Sequence, residues 1–156
     1  TQSVAKGKQY NSFPGVIPAN QLANKKAVIQ TDKGTIEFEI YVDSPKAASN
    51  FIFLAQDGFY DGLTFHRIVP NFVIQGGDPN GDGTGGPGYL FEDEPVIKPY
   101  LRGTVAMAKR AEPNTNGSQF FIVLTDNPPL EPKYTIFGIV TKGMEALAKI
   151  QHGDVI

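Results

Sequence analysis

The sequence predicts a mainly β domain, a closed antiparallel barrel plugged by two short helices. Three observations point there. About seven short runs alternate with a period of two and are separated by turns. Seventeen glycines, more than average usage, supply the turns such a fold needs. Only two stretches carry helical spacing. There is no repeat period, and 156 residues suffice for one domain with a sizeable core.

Composition removes several function classes. The net charge of −2 comes without a Lys/Arg block, which argues against a nucleic-acid or membrane-surface protein. There is no cysteine, so disulfides, thiolate zinc and thiol catalysis are excluded. No apolar run approaches the roughly 18 residues of a membrane span. Residues 1–25 are polar, with Gly7, Pro14, Gly15 and Pro18, and read as a tether or a strap ahead of a domain at 26–156. Phe13, Val16, Ile17 and Leu22 are its candidates for docking on that domain. Such a segment resembles the spacer of an exported or lipid-anchored protein, which favours an extracytoplasmic over a cytoplasmic location.

The elements follow in order. Residues 27–31 and 35–42 read as a hairpin around Asp32, Lys33 and Gly34, with Ile36, Phe38 and Ile40 inward and Glu37 and Glu39 on a solvated face. Ser44 and Pro45 open a helix, as N-cap and first position; Ala47, Ala48, Phe51, Leu54 and Ala55 form its apolar face, and Gly58 ends it. Strict alternation over Phe65–Val69 places Phe65, Arg67 and Val69 on one face, with His66 and Ile68 on the other. Alternation also sets Phe72 and Gln75 on opposite faces, so a shared groove requires a bulge or twist between them.

Residues 78–88 form a glycine-rich loop. No Gly-Lys-Ser/Thr follows, so it is not a P-loop. Asp78, Asn80, Asp82 and Gly83 match the start of a calcium loop, but Tyr89 stands where the bidentate Glu belongs. Glu92, Asp93 and Glu94 read as a solvated acidic turn. Residues 102–108 form a short strand. Residues 118–124 form the most apolar one, with Gln119, Phe121 and Val123 on one face and Phe120, Ile122 and Leu124 on the other. A strand apolar on both faces is covered on both. A proline-rich loop, a strand over 134–140 and a short helix over 144–150 complete the chain; Asp154, Val155 and Ile156 read as the start of another strand.

Arg67 is a charge in a β-rich, aromatic setting. It either points to water from an edge strand or serves an apolar groove as a fixed donor fork. Of the two histidines, His66 faces away from Arg67 and His152 lies in the tail, so neither a Ser–His–Asp triad with Ser118 nor a histidine metal site is favoured. The carboxylates sit in turns and on outer faces, which is weak ground for a paired acid–base site. An apolar patch with a guanidinium and amides remains. It suits chemistry without a nucleophile or proton transfer, such as rotation about an X–Pro bond, whose barrier is about 18–20 kcal/mol.

The residues Phe65, His66, Arg67, Phe72, Gln75, Gly76, Gly77 and Asp78 resemble the cyclophilins, the peptidyl-prolyl cis-trans isomerases. So do Gly83, Thr84, Gly85 and Gly86, then Phe91 to Glu94, Met107 and Ala108, Asn116 to Ile122, and Phe137 with Gly138. The resemblance runs from about residue 27 to 150 in the family's order. It implies an eight-stranded barrel with two capping helices and a groove on its outer surface. It also implies catalytic roles for Arg67, Phe72 and Gln75. Val73, Phe121 and Leu130 complete the proline pocket; Ala108, Lys109 and Gln119 form a neighbouring subsite, and Tyr134 takes the place of the groove's usual His. Lys109 stands where Asn is common, and 109–112 is one residue longer than in well-known members.

The resemblance further implies an enzyme without cofactor or metal, a monomer acting on proline-containing peptides and unfolded chains to assist folding. The alternative is a domain that binds such peptides with little turnover. Pro129 occupies the position of a Trp that donates a hydrogen bond to cyclosporin, so weakened cyclosporin binding is expected. The family's final strand should follow Asp154 and is missing from the sequence, leaving an expected open barrel edge.

Overall fold

The computed structural model describes residues 9–22, 25–126, 128–130, 132–151 and 153–154. The expectations for residues 1–8, His152, Val155 and Ile156 fall outside them. Alternation organises the sheet. β1 (Lys26–Thr31) and β2 (Gly34–Ile40) pair antiparallel about a two-residue turn at Asp32 and Lys33. β3 (Phe65–Val69), β4 (Val73–Gly76), β5 (Thr104–Met107), β6 (Phe120–Val123) and β7 (Ile136–Lys142) complete one antiparallel sheet. Its order is β1-β2-β7-β5-β6-β4-β3. The expected mainly β, antiparallel architecture holds. Seven strands stand among the described residues, where a closed eight-stranded barrel was expected. No helix among them is long and apolar enough to cross a membrane.

The sheet is apolar on both faces, and this divides the buried residues into two clusters. Ile36, Phe38, Ile74, Phe120, Ile122 and Phe137 lie in the main core. Val73, Tyr100, Ala106, Phe121, Val123 and Ile136 form a second cluster on the opposite face. The alternation of β6 therefore reads through to the structure: its even positions face the core and its odd positions the outer cluster.

Helix α2 (Pro45–Gln56) packs its buried face, including Ala47, Ala48, Phe51 and Leu54, against the core. Ser44 precedes it but makes no side-chain cap. Glu94, distant in sequence, caps it instead: its carboxylate accepts from Lys46 N and Ala47 N, both at 2.9 Å. A carboxylate there also meets the positive end of the helix dipole. This corrects the reading of 92–94 as a solvated turn for Asp93 and Glu94, while Glu92 stays exposed as expected. Asp93 pairs with Lys109 at 2.9 Å and Glu92 with Lys46 at 3.3 Å. The partners lie too far along the chain to be read locally.

A helix that the sequence did not suggest, α1 (Ala19–Leu22), lies in the strap and packs on α2. The second expected helix is α3 (Met144–Leu147), followed by a turn. Leu22 is buried, and Tyr10, Phe13 and Ile17 pack on the core; Val16 stays exposed.

Two expectations about the central hairpin need correction. Phe65 faces Gly76 and Arg67 faces Gln75, so one extra residue, His66, sits in β3. That bulge turns Phe65 into the core, 0 % exposed, while Arg67 stays on the outer face. Phe65 and Arg67 thus do not share a face. Conversely, no bulge separates Phe72 from Gln75. Phe72 lies in the turn before β4, with Phe72 N bonded to Val69 O at 3.0 Å and Asn71 at φ 61°. Alternation does not govern it there. Val73 and Gln75, two apart within β4, share the outer face.

Candidate active site

The groove is built on β3, β4 and β6, over the second apolar cluster. Arg67, Phe72, Val73, Gln75, Ala108, Lys109, Phe121, Leu130 and Tyr134 line one cavity of about 290 Å³, joined by Pro129. Gln119 lines an adjoining cavity of about 390 Å³, which shares Gln75, Ala108 and Lys109 with the first. All ten residues singled out from the sequence therefore converge on two neighbouring hollows. The surface-strand alternative for Arg67 is half right: its side chain is exposed, but it rims the groove.

A chain of amides fixes the guanidinium side. Gln119 Nε2 donates to Gly85 O at 2.9 Å and Gly83 O at 3.1 Å. Its Oε1 is thereby left to accept from Gln75 Nε2, at 2.9 Å. Gln75 Oε1 then accepts from Arg67 Nη1, a long contact of 3.4 Å. Two carbonyls that can only accept thus set the polarity of both amides. Arg67 and Gln75 are cross-strand partners, which places their side chains together without a loop to position them.

The apolar side is equally fixed. Phe121 is 4 % exposed and meets the Tyr134 ring edge-on, with centroids 5.5 Å apart and an interplanar angle of 85°. Tyr134's backbone is held by Tyr100, whose hydroxyl donates to Tyr134 O at 2.7 Å and accepts from Tyr134 N at 3.0 Å. Burial pushes the Tyr100 hydroxyl's pKa up, against the hydrogen bond to Tyr134. Sequence reasoning missed Tyr100. Its only signal was that a tyrosine in an apolar setting needs a polar partner.

Lys109 lies between the two hollows, its side chain only 3 % exposed. Its ammonium is held by Asp93, which also accepts from Asn116 Nδ2 at 2.8 Å and Asn114 N at 3.1 Å. Burial raises the Asp93 carboxyl's pKa, but the bonds from Lys109, Asn114 and Asn116 outweigh it and hold the group below the ordinary value. Lys109 thus contributes its aliphatic stem to the groove and its charge to Asp93.

The other candidate chemistries fall away on geometry. Ser118 Oγ donates to Gly77 O at 2.6 Å, and Ser118 is buried at 1 % exposure. Asp78 accepts from Asn80 N at 2.8 Å, Asp82 N at 3.0 Å and Gly83 N, so its carboxylate holds its own loop together. What the site can do is grip an apolar ring on an aromatic floor and present a charged donor beside it.

Comparison with known proteins agrees with that chemistry. The family described as cyclophilin type peptidyl-prolyl cis-trans isomerase/CLD matches residues 26–156. A peptidyl-prolyl cis-trans isomerase of Helicobacter pylori is 47% identical over 135 residues, covering 83% of this chain and 82% of that protein. The peptidyl-prolyl cis-trans isomerase B of Bacillus subtilis is 48% identical over 128 residues, covering 80% and 89%. Among solved structures, a Cryptosporidium parvum cyclophilin type isomerase, crystallised in the presence of the dipeptide Ala-Pro, superposes with a TM-score of 0.77 at 38% identity. That match covers 85% of this chain and 92% of the other. The matched region holds the whole sheet and every groove residue, and the chain belongs to the cyclophilin-type peptidyl-prolyl cis-trans isomerases.

Proposed function

We propose that the groove accelerates rotation about X–Pro bonds in flexible or unfolded chains, with Arg67 as the catalytic guanidinium. The carrying observation is the ordered chain from Gly83 and Gly85 through Gln119 and Gln75 to Arg67, set beside an apolar cavity. Phe72, Val73, Phe121 and Leu130 hold the proline ring. Gln75 orients Arg67. Ala108, Lys109 and Gln119 contact the neighbouring residues, and Tyr134 closes one side.

The physics follows from the barrier. The planar amide is held by its partial double bond. In the twisted state the proline nitrogen regains its lone pair, and the carbonyl loses conjugation. A guanidinium aimed at that nitrogen, or at the adjacent carbonyl, binds the twisted form better than either planar one. Each tenfold in rate requires about 1.4 kcal/mol of such preference. Exchange NMR on an Ala-Pro peptide tests the reading: enhanced cis–trans exchange at substoichiometric protein supports it. Binding without exchange would favour a peptide-capture domain instead.

Further proposals attach to the same reading. Pro129 lines the groove without an N–H donor, which supports weak cyclosporin binding; titration calorimetry checks this. The protein acts as a monomer, without nucleic acid, cofactor or metal; sedimentation tests the first point. The sheet closes as an eight-stranded barrel. Supporting this, Phe65 N donates to Asp154 O and Gly153 N to Phe65 O, both at 2.9 Å, at the free edge of β3. Slow hydrogen exchange at the outer edge of β1 is the expected mark of closure. An extracytoplasmic location rests on composition, and fractionation of cells that express the protein tests it.

A further inference from the structure

The family match begins at residue 26, yet residues 9–22 are bonded to the domain at several points. Tyr10 lodges against Phe53, with ring centroids 5.1 Å apart, and its hydroxyl donates to Asp57 at 2.6 Å. Phe13 stacks on Phe91 at 5.1 Å. Ile17 N donates to Ser49 Oγ at 2.8 Å.

The strap also grips the glycine-rich loop. Gln9 Nε2 donates to Gly86 O at 2.9 Å, and Tyr10 N to Pro87 O at 2.8 Å. Gly88 makes this approach possible: a Cβ there would meet Tyr10 O at 2.5 Å, and its φ of +102° is one that L side chains rarely adopt. The same loop walls the larger cavity, of about 390 Å³, beside the groove, and Gln9 itself lines that cavity. The loop is therefore held by Gln119 on the groove side, by the buried Tyr89, whose hydroxyl donates to Asn50 Oδ1, at its far end, and by the strap at Gly86 and Pro87 between them. A run so rich in glycine carries much backbone entropy, and the strap's bonds restrain the stretch between those two anchors.

We propose that the strap is part of substrate recognition: it holds the 86–90 loop as the outer wall of the larger cavity, which takes a side chain flanking the proline. The lining carries the exposed Arg110 and no carboxylate, while Lys109 enters it as a stem whose ammonium Asp93 holds. An acceptor-bearing side chain such as Glu fits it better than Lys. The proposal rests on the groove being the isomerase site, and it assigns Gln9 as a specificity-determining residue.

The test compares kcat/KM for proline peptides carrying Glu or Lys, scanned one position at a time around the proline. The wild-type protein is expected to favour Glu at one position by roughly two- to five-fold, the size an exposed charge pair supports. Gln9→Ala, at an exposed residue, is expected to move that ratio toward one without lowering Tm. Gly88→Ala, which forces strap and loop apart, is expected to move it the same way. A lost wall changes the ratio, whereas mere destabilisation lowers both rates by one factor. An unchanged ratio in both variants overturns the role of the strap, and no Glu preference in the wild type overturns the cavity's chemistry. Failure of the wild type to isomerise any peptide would instead sink the underlying active-site reading.

Discussion

Replacing Arg67 with alanine separates catalysis from folding. Arg67 is exposed on β3, and its contact to Gln75 is long, at 3.4 Å. The apolar floor of the groove, Phe121 with Val73, Ala106 and Val123, is buried without help from the guanidinium. Surface substitutions of this kind change stability by about 0.5 kcal/mol or less. For a domain of this size that is a Tm shift of roughly 2 °C. Loss of a preorganised donor from a transition state costs about 2.7–4 kcal/mol, or roughly 10²–10³ in turnover. Arg67→Ala is therefore expected to keep its melting curve and lose two to three decades of rate. The assays are exchange NMR on an Ala-Pro peptide and thermal denaturation on the same sample. A variant that retained more than about a tenth of the wild-type rate would refute electrostatic stabilisation by Arg67. A large fall in Tm would show that the lost rate reports unfolding.

Other expectations follow from the same geometry. Phe121→Ala removes a ring that is both pocket floor and cluster centre, so stability should fall by about 3–5 kcal/mol along with peptide affinity, measured by denaturant unfolding and titration. Asp93→Asn leaves the Lys109 ammonium without its carboxylate and should cost about 1–3 kcal/mol in chemical denaturation. Because Asp93 is held below the ordinary 3.8, its stabilising effect is present above that value and lost as pH falls through the lower folded value. Acid titration of Tm should show wild type losing stability below about pH 4, with a shallower loss in the Asn variant. Gly138→Ala places a Cβ 2.6 Å from Glu39 O and 2.8 Å from Phe38, where β7 passes β2. Overpacking there should cost about 1–3 kcal/mol by the same unfolding assay.

Local pattern carried most of the architecture. The hairpin of β1 and β2, the helix opened by Pro45, and the two-faced β6 were legible because each depends on residues one to four apart. The groove residues were legible from alternation for Gln119 and Phe121, and from family resemblance for Leu130 and Tyr134. Those last two sit in and beside a proline-rich loop, where no periodicity reports direction. The errors over the central hairpin had one source. Strict alternation presumes an unbroken strand, and one extra residue at His66 reversed Phe65 relative to Arg67. Phe72 was misjudged because it belongs to a turn, where the two-residue period has no meaning.

The sequence by itself determined that the chain makes short antiparallel strands, that one face carries a guanidinium among aromatic residues, and that no thiol participates. Those properties are set by residue type and near-neighbour spacing. Only the tertiary structure decided what the charged and polar side chains attach to. Glu94 caps a helix that begins about fifty residues earlier, Asp93 holds Lys109 between two cavities, and Gln9 grips a loop more than seventy residues away. Such pairings are decided where the closed chain brings elements together, since a carboxylate or amide satisfies whichever partner burial places beside it.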